Sequence, residues 1–209
     1  MRQVSLAGTK LKYFHICAFF NSLEEEYKAL TPFFKEGIDQ NEQILHIVDP
    51  NLVDQHRAHL SANGINSHEC EACGQLTIVD WNSAYLDEQG VFNKKRMLDT
   101  IARLTQQGGS PGYEGVRIMG NMGWVFQGTP GAEELLEYEA EVNQALEQNK
   151  QPAVCVYDIA KLTGSMMMDL LRAHPLTLIN GIVQENPFYT PPEELLHELN
   201  SRDGNQAGG

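Results

Sequence analysis

Six short, continuously apolar runs punctuate this chain: 14–20 (FHICAFF), 44–48 (ILHIV), 76–80 (LTIVD), 116–119 (VRIM), 153–157 (AVCVY) and 176–183 (LTLINGIV). A strand with one wet face alternates apolar and polar residues, whereas a strand covered on both faces can be apolar throughout. The segments between the runs are long enough for helical crossovers, which parallel strands need and antiparallel hairpins do not. The pattern therefore predicts an α/β fold, with a mainly parallel sheet of about six to seven strands and helices on both faces.

The intervening segments carry helix signals. Ser22 and Glu25 have capping-box spacing, and Leu23, Tyr27, Leu30, Phe34 and Ile38 then recur every three or four residues. Pro32 should kink this helix and Gly37 should end it. Asp49-Pro50 reads as the start of a second helix carrying Val53, His56 and Leu60 inward and ending at Gly64. Further helices are expected over 92–106, 133–148 and 166–173, with GGSPG at 108–112 as a turn. Thr190-Pro191-Pro192-Glu193 opens a terminal helix to about Leu199. The expectation is one domain, residues 1–199, followed by a disordered polar tail, SRDGNQAGG, at 200–209.

Composition excludes several function classes. A formal net charge of -13 and a pI near 4.9 leave no basic footprint for direct nucleic-acid binding. The one tight basic cluster, Lys94-Lys95-Arg96, reads as a solvated helix face. No apolar run approaches the ~18 residues of a membrane span, and the N-terminus lacks a signal-peptide core, so a cytoplasmic protein is expected. Cys17 and Cys155 lie in strand-like runs, where a thiol acts as a small hydrophobe. Cys70 and Cys73 form a single CxxC near His68. A structural zinc site normally needs a second pair, so these read as loop thiols, with a redox or metal sensor as the alternative. His56 and His59 are one helical turn apart but lack an HExxH context, which favours packing. No metal or cofactor is expected.

The first strand-to-helix turn, FFNSLEEE, narrows the function further. In α/β proteins this turn commonly holds a nucleotide's phosphates on free backbone N–H groups. Here it contains neither glycine nor lysine, and Glu24, Glu25 and Glu26 would repel a phosphate. Neither GxxxxGK[ST] nor GxSxG occurs, and GNMGW at 120–124 is not a dinucleotide fingerprint. Sensing is expected rather than catalysis. Ligands of open α/β sheets bind outside the carboxyl ends of the strands. That rule selects Phe20, Asn21, Trp81, Asn121, Trp124, Tyr157, Asn186 and Tyr189 as candidate ligand-binding residues, near Asp49, Asp80 and Asp158. His15 starts its strand at the far edge and His174 closes a helix, so both read as structural.

With these landmarks the chain resembles the MEDS domain, the methanogen/methylotroph sensory domain. The resemblance rests on His15 opening HICAFF, Glu25 in NSLEEE, PFFKEGIDQNEQILHIVD at 32–49, RIMGNMGW at 117–124, VCVYD at 154–158, and AHP at 173–175 followed by GIVQENPFY at 181–189. It implies a degenerate RecA-like fold, a P-loop-type three-layer sandwich lacking the phosphate loop. It also implies sensing of a small organic ligand, including hydrocarbon derivatives. Family members occur fused to helix-turn-helix domains or histidine kinases, and the expectation from 209 residues is that this chain carries neither. The expectation is a stand-alone signal-transduction module, not an enzyme, that relays to a separate histidine kinase or transcription regulator, or self-associates as a homo-oligomer. Alternatives from other classes are a ligand-free protein-interaction module with an acidic surface, a residual nucleotide-binding enzyme, and a redox or metal sensor built on Cys70 and Cys73.

Overall fold

The computed structural model describes residues 4–105 and 112–206. Residues 5–10 form a small antiparallel hairpin, β1 (Ser5–Leu6) and β2 (Thr9–Lys10), that the sequence reading did not anticipate. Each expected apolar run then forms strand structure. Five of them, β3 (His15–Phe20), β4 (Gln43–Val48), β5 (Leu76–Asp80), β6 (Val116–Asn121) and β7 (Ala153–Asp158), are mutually parallel.

The sixth run is two strands, β8 (Leu176–Ile179) and β9 (Ile182–Glu185), and this corrects its reading as one. Asn180 and Gly181 both take left-handed backbone (φ 50° and 74°), the requirement of a two-residue hairpin turn. The main sheet has the order β5-β4-β6-β7-β3-β8-β9 among the described residues, with β9 alone antiparallel. The reversal at Asn180-Gly181 carries residues 186–189 back to the amino edge of the parallel strands, beside Pro175.

Strand pleating divides the core into two layers. Ile16, Ala18 and Phe20 face α1 (Leu23–Asp39), α2 (Val53–Ala62) and α3 (Ser67–Ala72), whereas Cys17 and Phe19 face the opposite side. That side is covered by α4 (Trp81–Tyr85), α5 (Lys94–Thr105), α6 (Leu135–Asn149) and α7 (Gly164–Ala173). A last helix, α8 (Pro192–Gln206), buries Leu195 against Ala140 of α6 and Ala173 of α7. The result is the three-layer α/β architecture expected from the alternation.

Several boundaries differ from the sequence reading. Helix α1 passes through both Pro32 and Gly37. Glycine is needed there for packing, not as a stop: a Cβ at 37 would lie 2.8 Å from the side chains of Arg117 and Ile44. Arg117 is fully buried beneath α1, paired with Glu42 and Glu36 and donating to the Phe33 carbonyl at 2.6 Å. Breaking such a buried pair leaves an uncompensated charge, at a cost of about 3–5 kcal/mol. Helix α2 begins at Val53, because Asp49 instead accepts from the Asn51 N–H (2.8 Å) in a preceding turn. Helix α5 begins at Lys94, which ties it to Glu137 and Glu141 of α6. Helix α8 runs past Leu199 to Gln206 and so covers 200–206 of the tail expected to be disordered; 207–209 lie outside the described residues. The turn expected at 108–112 also falls there, except for Gly112.

Candidate functional site

Because β3 to β7 are parallel, their carboxyl ends share one edge, and the loops leaving them surround a crevice of about 250 Å³. Five of the residues selected from sequence border it: Phe20, Asn21, Trp81, Asn121 and Tyr157. Glu26, Asp49, Leu52, Asp158 and Lys161 are among the other residues that border it. Trp81 follows directly after β5, where Asp80 caps α4 by accepting from the Ser83 N–H and hydroxyl (3.0 and 2.8 Å). Asn121 ends β6 and turns the chain by accepting from the Gly123 N–H at 2.9 Å. Gly123 must lack a side chain, since a Cβ there would sit 2.5 Å from the Trp81 ring. Asp158 caps the 3-10 turn after β7 through the Ala160 N–H (3.0 Å) and faces Lys161 at 3.4 Å.

The turn between β3 and α1 explains why this edge does not look like a phosphate site. The Ser22 hydroxyl caps α1 by accepting from the Glu25 N–H at 3.2 Å. The Glu25 carboxylate reaches back to accept both the Asn21 backbone N–H (2.9 Å) and its side-chain amide (3.1 Å). The positive end of the helix is thus filled by the chain's own anion.

Sequence reading grouped Glu26 with this acidic cap, but the structure gives it a separate place. Glu26 is buried, and burial lifts its carboxyl from 4.5 to about 7. A signal was present: Leu23, Glu26, Tyr27 and Leu30 fall on one helical face, so the third glutamate shares the apolar stripe. A carboxyl that is partly neutral near pH 7 can either donate to or accept from a ligand.

Three selected residues do not border the crevice. Trp124 lies in the 3-10 turn after β6, fully buried, with ring centroids 4.5 Å from Phe92 and 5.3 Å from Tyr85. Asn186, displaced to the other sheet edge by the β8–β9 reversal, donates to the carbonyls of Leu171 and His174 (2.5 and 2.7 Å) and satisfies the end of α7. The Tyr189 hydroxyl accepts from Asn143 of α6 at 2.7 Å. Larger hollows exist among the described residues, of about 350 Å³ between α5 and β4–β5, about 650 Å³ between β1–β2, α1 and the β8–β9 turn, and about 300 Å³ between β2 and β8–β9. None of them lies on the edge where the five strand ends converge. The crevice, which gathers aromatic walls, amides and a buried carboxyl, is the better site.

A second polar cluster lies inside the protein, beneath α6 and α7. Glu139 of α6 is fully buried and accepts from the Tyr157 hydroxyl at 2.6 Å. Around it stand His15 from the start of β3, Cys155 from β7 and His174 from the end of α7, all buried and together able to hold a metal ion. Burial pushes both imidazoles down to about 3. It also raises the Glu139 carboxyl, against the opposing pull of His174 and Tyr157, and raises the Cys155 thiol. Sequence reading placed His15 and His174 as separate structural residues, treated Cys155 as a hydrophobe, and did not single out Glu139. Three other histidines pack: His56 joins His46 (2.8 Å) and the Tyr27 hydroxyl (3.2 Å), while His59 stacks on Tyr27. Cys70 lies within α3 and Cys73 caps it, so neither is a loop thiol.

Comparison with known proteins agrees with this architecture. The chain is 24% identical over 180 residues to the transcriptional repressor DcmR of Methylorubrum extorquens, a match covering 82% of this chain and 62% of that protein. The chain therefore spans about three fifths of that relative's length. A KaiC-like protein from Pyrococcus horikoshii OT3 superposes with a TM-score of 0.55 at 12% identity, covering 78% of this chain and 69% of that one, a likeness of RecA-like fold alone. Residues 14–175, from the strand that opens with His15 to just past the end of α7, match the family described as MEDS, methanogen/methylotroph, DcmR sensory domain, and the chain belongs to that family.

Proposed function

We propose that this MEDS domain senses a small organic molecule in the strand-edge crevice and relays its occupancy to a regulatory partner. The observation that carries the reading is the crevice itself. Phe20 and Trp81 offer apolar contact, Asn21, Asn121 and Glu26 offer polar handles, and the Glu25 carboxylate already holds the helix end that a phosphate would need. Its volume of about 250 Å³ falls below the ~300–1,000 Å³ of drug-sized sites and suits a compact ligand. Carboxylates at Glu25, Asp49 and Asp158 disfavour anions, so the expected class is a neutral or cationic, largely apolar molecule, including hydrocarbon derivatives. A repressor among the relatives supports a regulatory output, with a transcription regulator or histidine kinase as the recipient and sensing rather than catalysis as the role. Binding would act by favouring one arrangement of α1, α4 and the turn after β6, which meet at the crevice.

Thermal-shift and native mass spectrometry against short alcohols, amines, amides and halogenated hydrocarbons, with ATP as a control, test this. A ligand from the panel should raise the melting temperature of the native protein and not of Trp81→Ala, while ATP has no effect. ATP binding would instead favour a residual nucleotide enzyme. A second reading, a ligand-free interaction module, is favoured by the exposed Ile179, Ile182 and Phe188 around the β8–β9 hairpin. It predicts that Ile182→Lys abolishes partner capture while crevice variants leave it intact.

A further inference from the structure

We propose that His15, Glu139, Cys155 and His174 form a buried, four-coordinate site for a divalent metal ion of the zinc class. The donor spacing carries this. Zinc–nitrogen and zinc–oxygen bonds near 2.0–2.1 Å and zinc–sulfur bonds near 2.3 Å, arranged tetrahedrally, place neighbouring donor atoms about 3.3–3.6 Å apart. Glu139 Oε2 lies 3.3 Å from His15 Nε2 and 3.6 Å from both His174 Nε2 and Cys155 Sγ. His15 Nε2 lies 3.4 Å from Cys155 Sγ, and the four ligand atoms all fall within 4.8 Å of one another. That is the outline of a metal cage.

The tautomers point the same way. His174 Nδ1 lies 2.7 Å from the Leu170 carbonyl and must donate to it, which leaves the Nε2 lone pair facing the cluster. This is the arrangement in which a backbone carbonyl orients a ligating imidazole. His174 Nε2 is itself a fully buried atom with no hydrogen-bond partner among the described residues. A metal ion would satisfy it; a purely hydrogen-bonded cluster does not. His15 Nδ1 lacks a partner in either case. Tyr157, donating to the other carboxylate oxygen at 2.6 Å, would hold Glu139 monodentate.

Charge balance also suits the interior. Loading would displace the protons of the Cys155 thiol and the Glu139 carboxyl, so two anionic and two neutral donors would enclose a dication with no net charge. One thiolate among nitrogen and oxygen donors favours zinc, copper or nickel over calcium or magnesium, and four protein ligands without an open position describe a structural ion. The ion would join β3, near the start of the chain, to α6, β7 and α7 more than a hundred residues later. Because all four ligands are buried, three of them fully, it would enter as the chain folds and leave only on unfolding. None of this depends on what occupies the crevice.

The test is metal analysis of full-length protein purified without metal-affinity chromatography, followed by refolding with zinc, with cobalt(II), or with chelator. About one equivalent of zinc-class metal should be retained through dialysis against chelator and released in denaturant. Cobalt-refolded protein should show tetrahedral cobalt bands with a thiolate-to-cobalt charge-transfer band. That band should vanish in Cys155→Ser and persist in Cys73→Ser. If a variant fails to fold, the native protein still decides: cooperative folding with less than a tenth of an equivalent of metal after zinc and cobalt refolding would overturn the site. So would a charge-transfer band that survives Cys155→Ser or disappears in Cys73→Ser.

Discussion

The crevice and the buried cluster use similar residue types to opposite ends. At the carboxyl edge of the sheet, Glu26, Asn21 and Asn121 border an opening that solvent or a ligand can enter. Beneath α6 and α7, Glu139, His15, Cys155 and His174 are sealed, and each donor turns toward another. An open edge with one partly neutral carboxyl can exchange a ligand, whereas a closed ring of four donors can only hold something permanently. Tyr157 belongs to both, bordering the crevice while its hydroxyl binds Glu139. The contrast separates the part of the fold suited to sensing from the part suited to anchoring it.

The largest expected effect lies in the sealed region. Glu139→Ala removes the acceptor of Tyr157 and opens a cavity in a fully buried layer, and urea denaturation should show a loss of about 3–4 kcal/mol. A loss below about 1 kcal/mol would mean the cluster anchors nothing.

At the crevice the expected sign is reversed. The Glu26 carboxyl is raised by burial from 4.5 to about 7, so between those pH values the folded chain keeps a proton that the unfolded chain has released. Its contribution is therefore fully present below pH 4.5 and is lost as pH rises through about 7, a change of about 3 kcal/mol. Glu26→Gln, which never ionises, should match the native protein at pH 4 and exceed its stability at pH 8 by up to that amount. Equal stability of the two proteins at pH 8 would show that Glu26 is solvated.

Smaller effects refine the edge. Gly123→Ala pushes on the Trp81 ring and should cost about 1–3 kcal/mol while abolishing any ligand-induced thermal shift. Metal content should be unchanged in this variant. Ser22→Ala removes the α1 cap and should cost about 1 kcal/mol in urea denaturation.

What could be read from the sequence follows how local each signal is. Apolar runs and their helical spacers are local patterns, so the strands, the layers and the carboxyl edge were legible, and with them Asn21, Trp81 and Asn121. The β8–β9 hairpin was misread because the run 176–183 is apolar on both sides of Asn180-Gly181, although that dipeptide is itself a hairpin signal. That one error sent Asn186 and Tyr189 to the wrong end of the sheet. Trp124 was misplaced because leaving a strand end does not fix which way a ring points. The buried cluster is a different matter. His15 and Cys155 stand 140 residues apart, and only the parallel pairing of β3 with β7 and the docking of α6 bring them to Glu139. No spacing rule spans such a distance.

The most direct measurement is a crystal structure of the protein with the strongest thermal-shift ligand bound. Density for that ligand between Asn21, Trp81 and Asn121, with Glu25 still holding the Asn21 N–H, is the predicted result. Ligand density in any of the larger hollows with the strand-edge crevice unchanged, or a phosphate seated on the α1 N-terminus in place of Glu25, would contradict it.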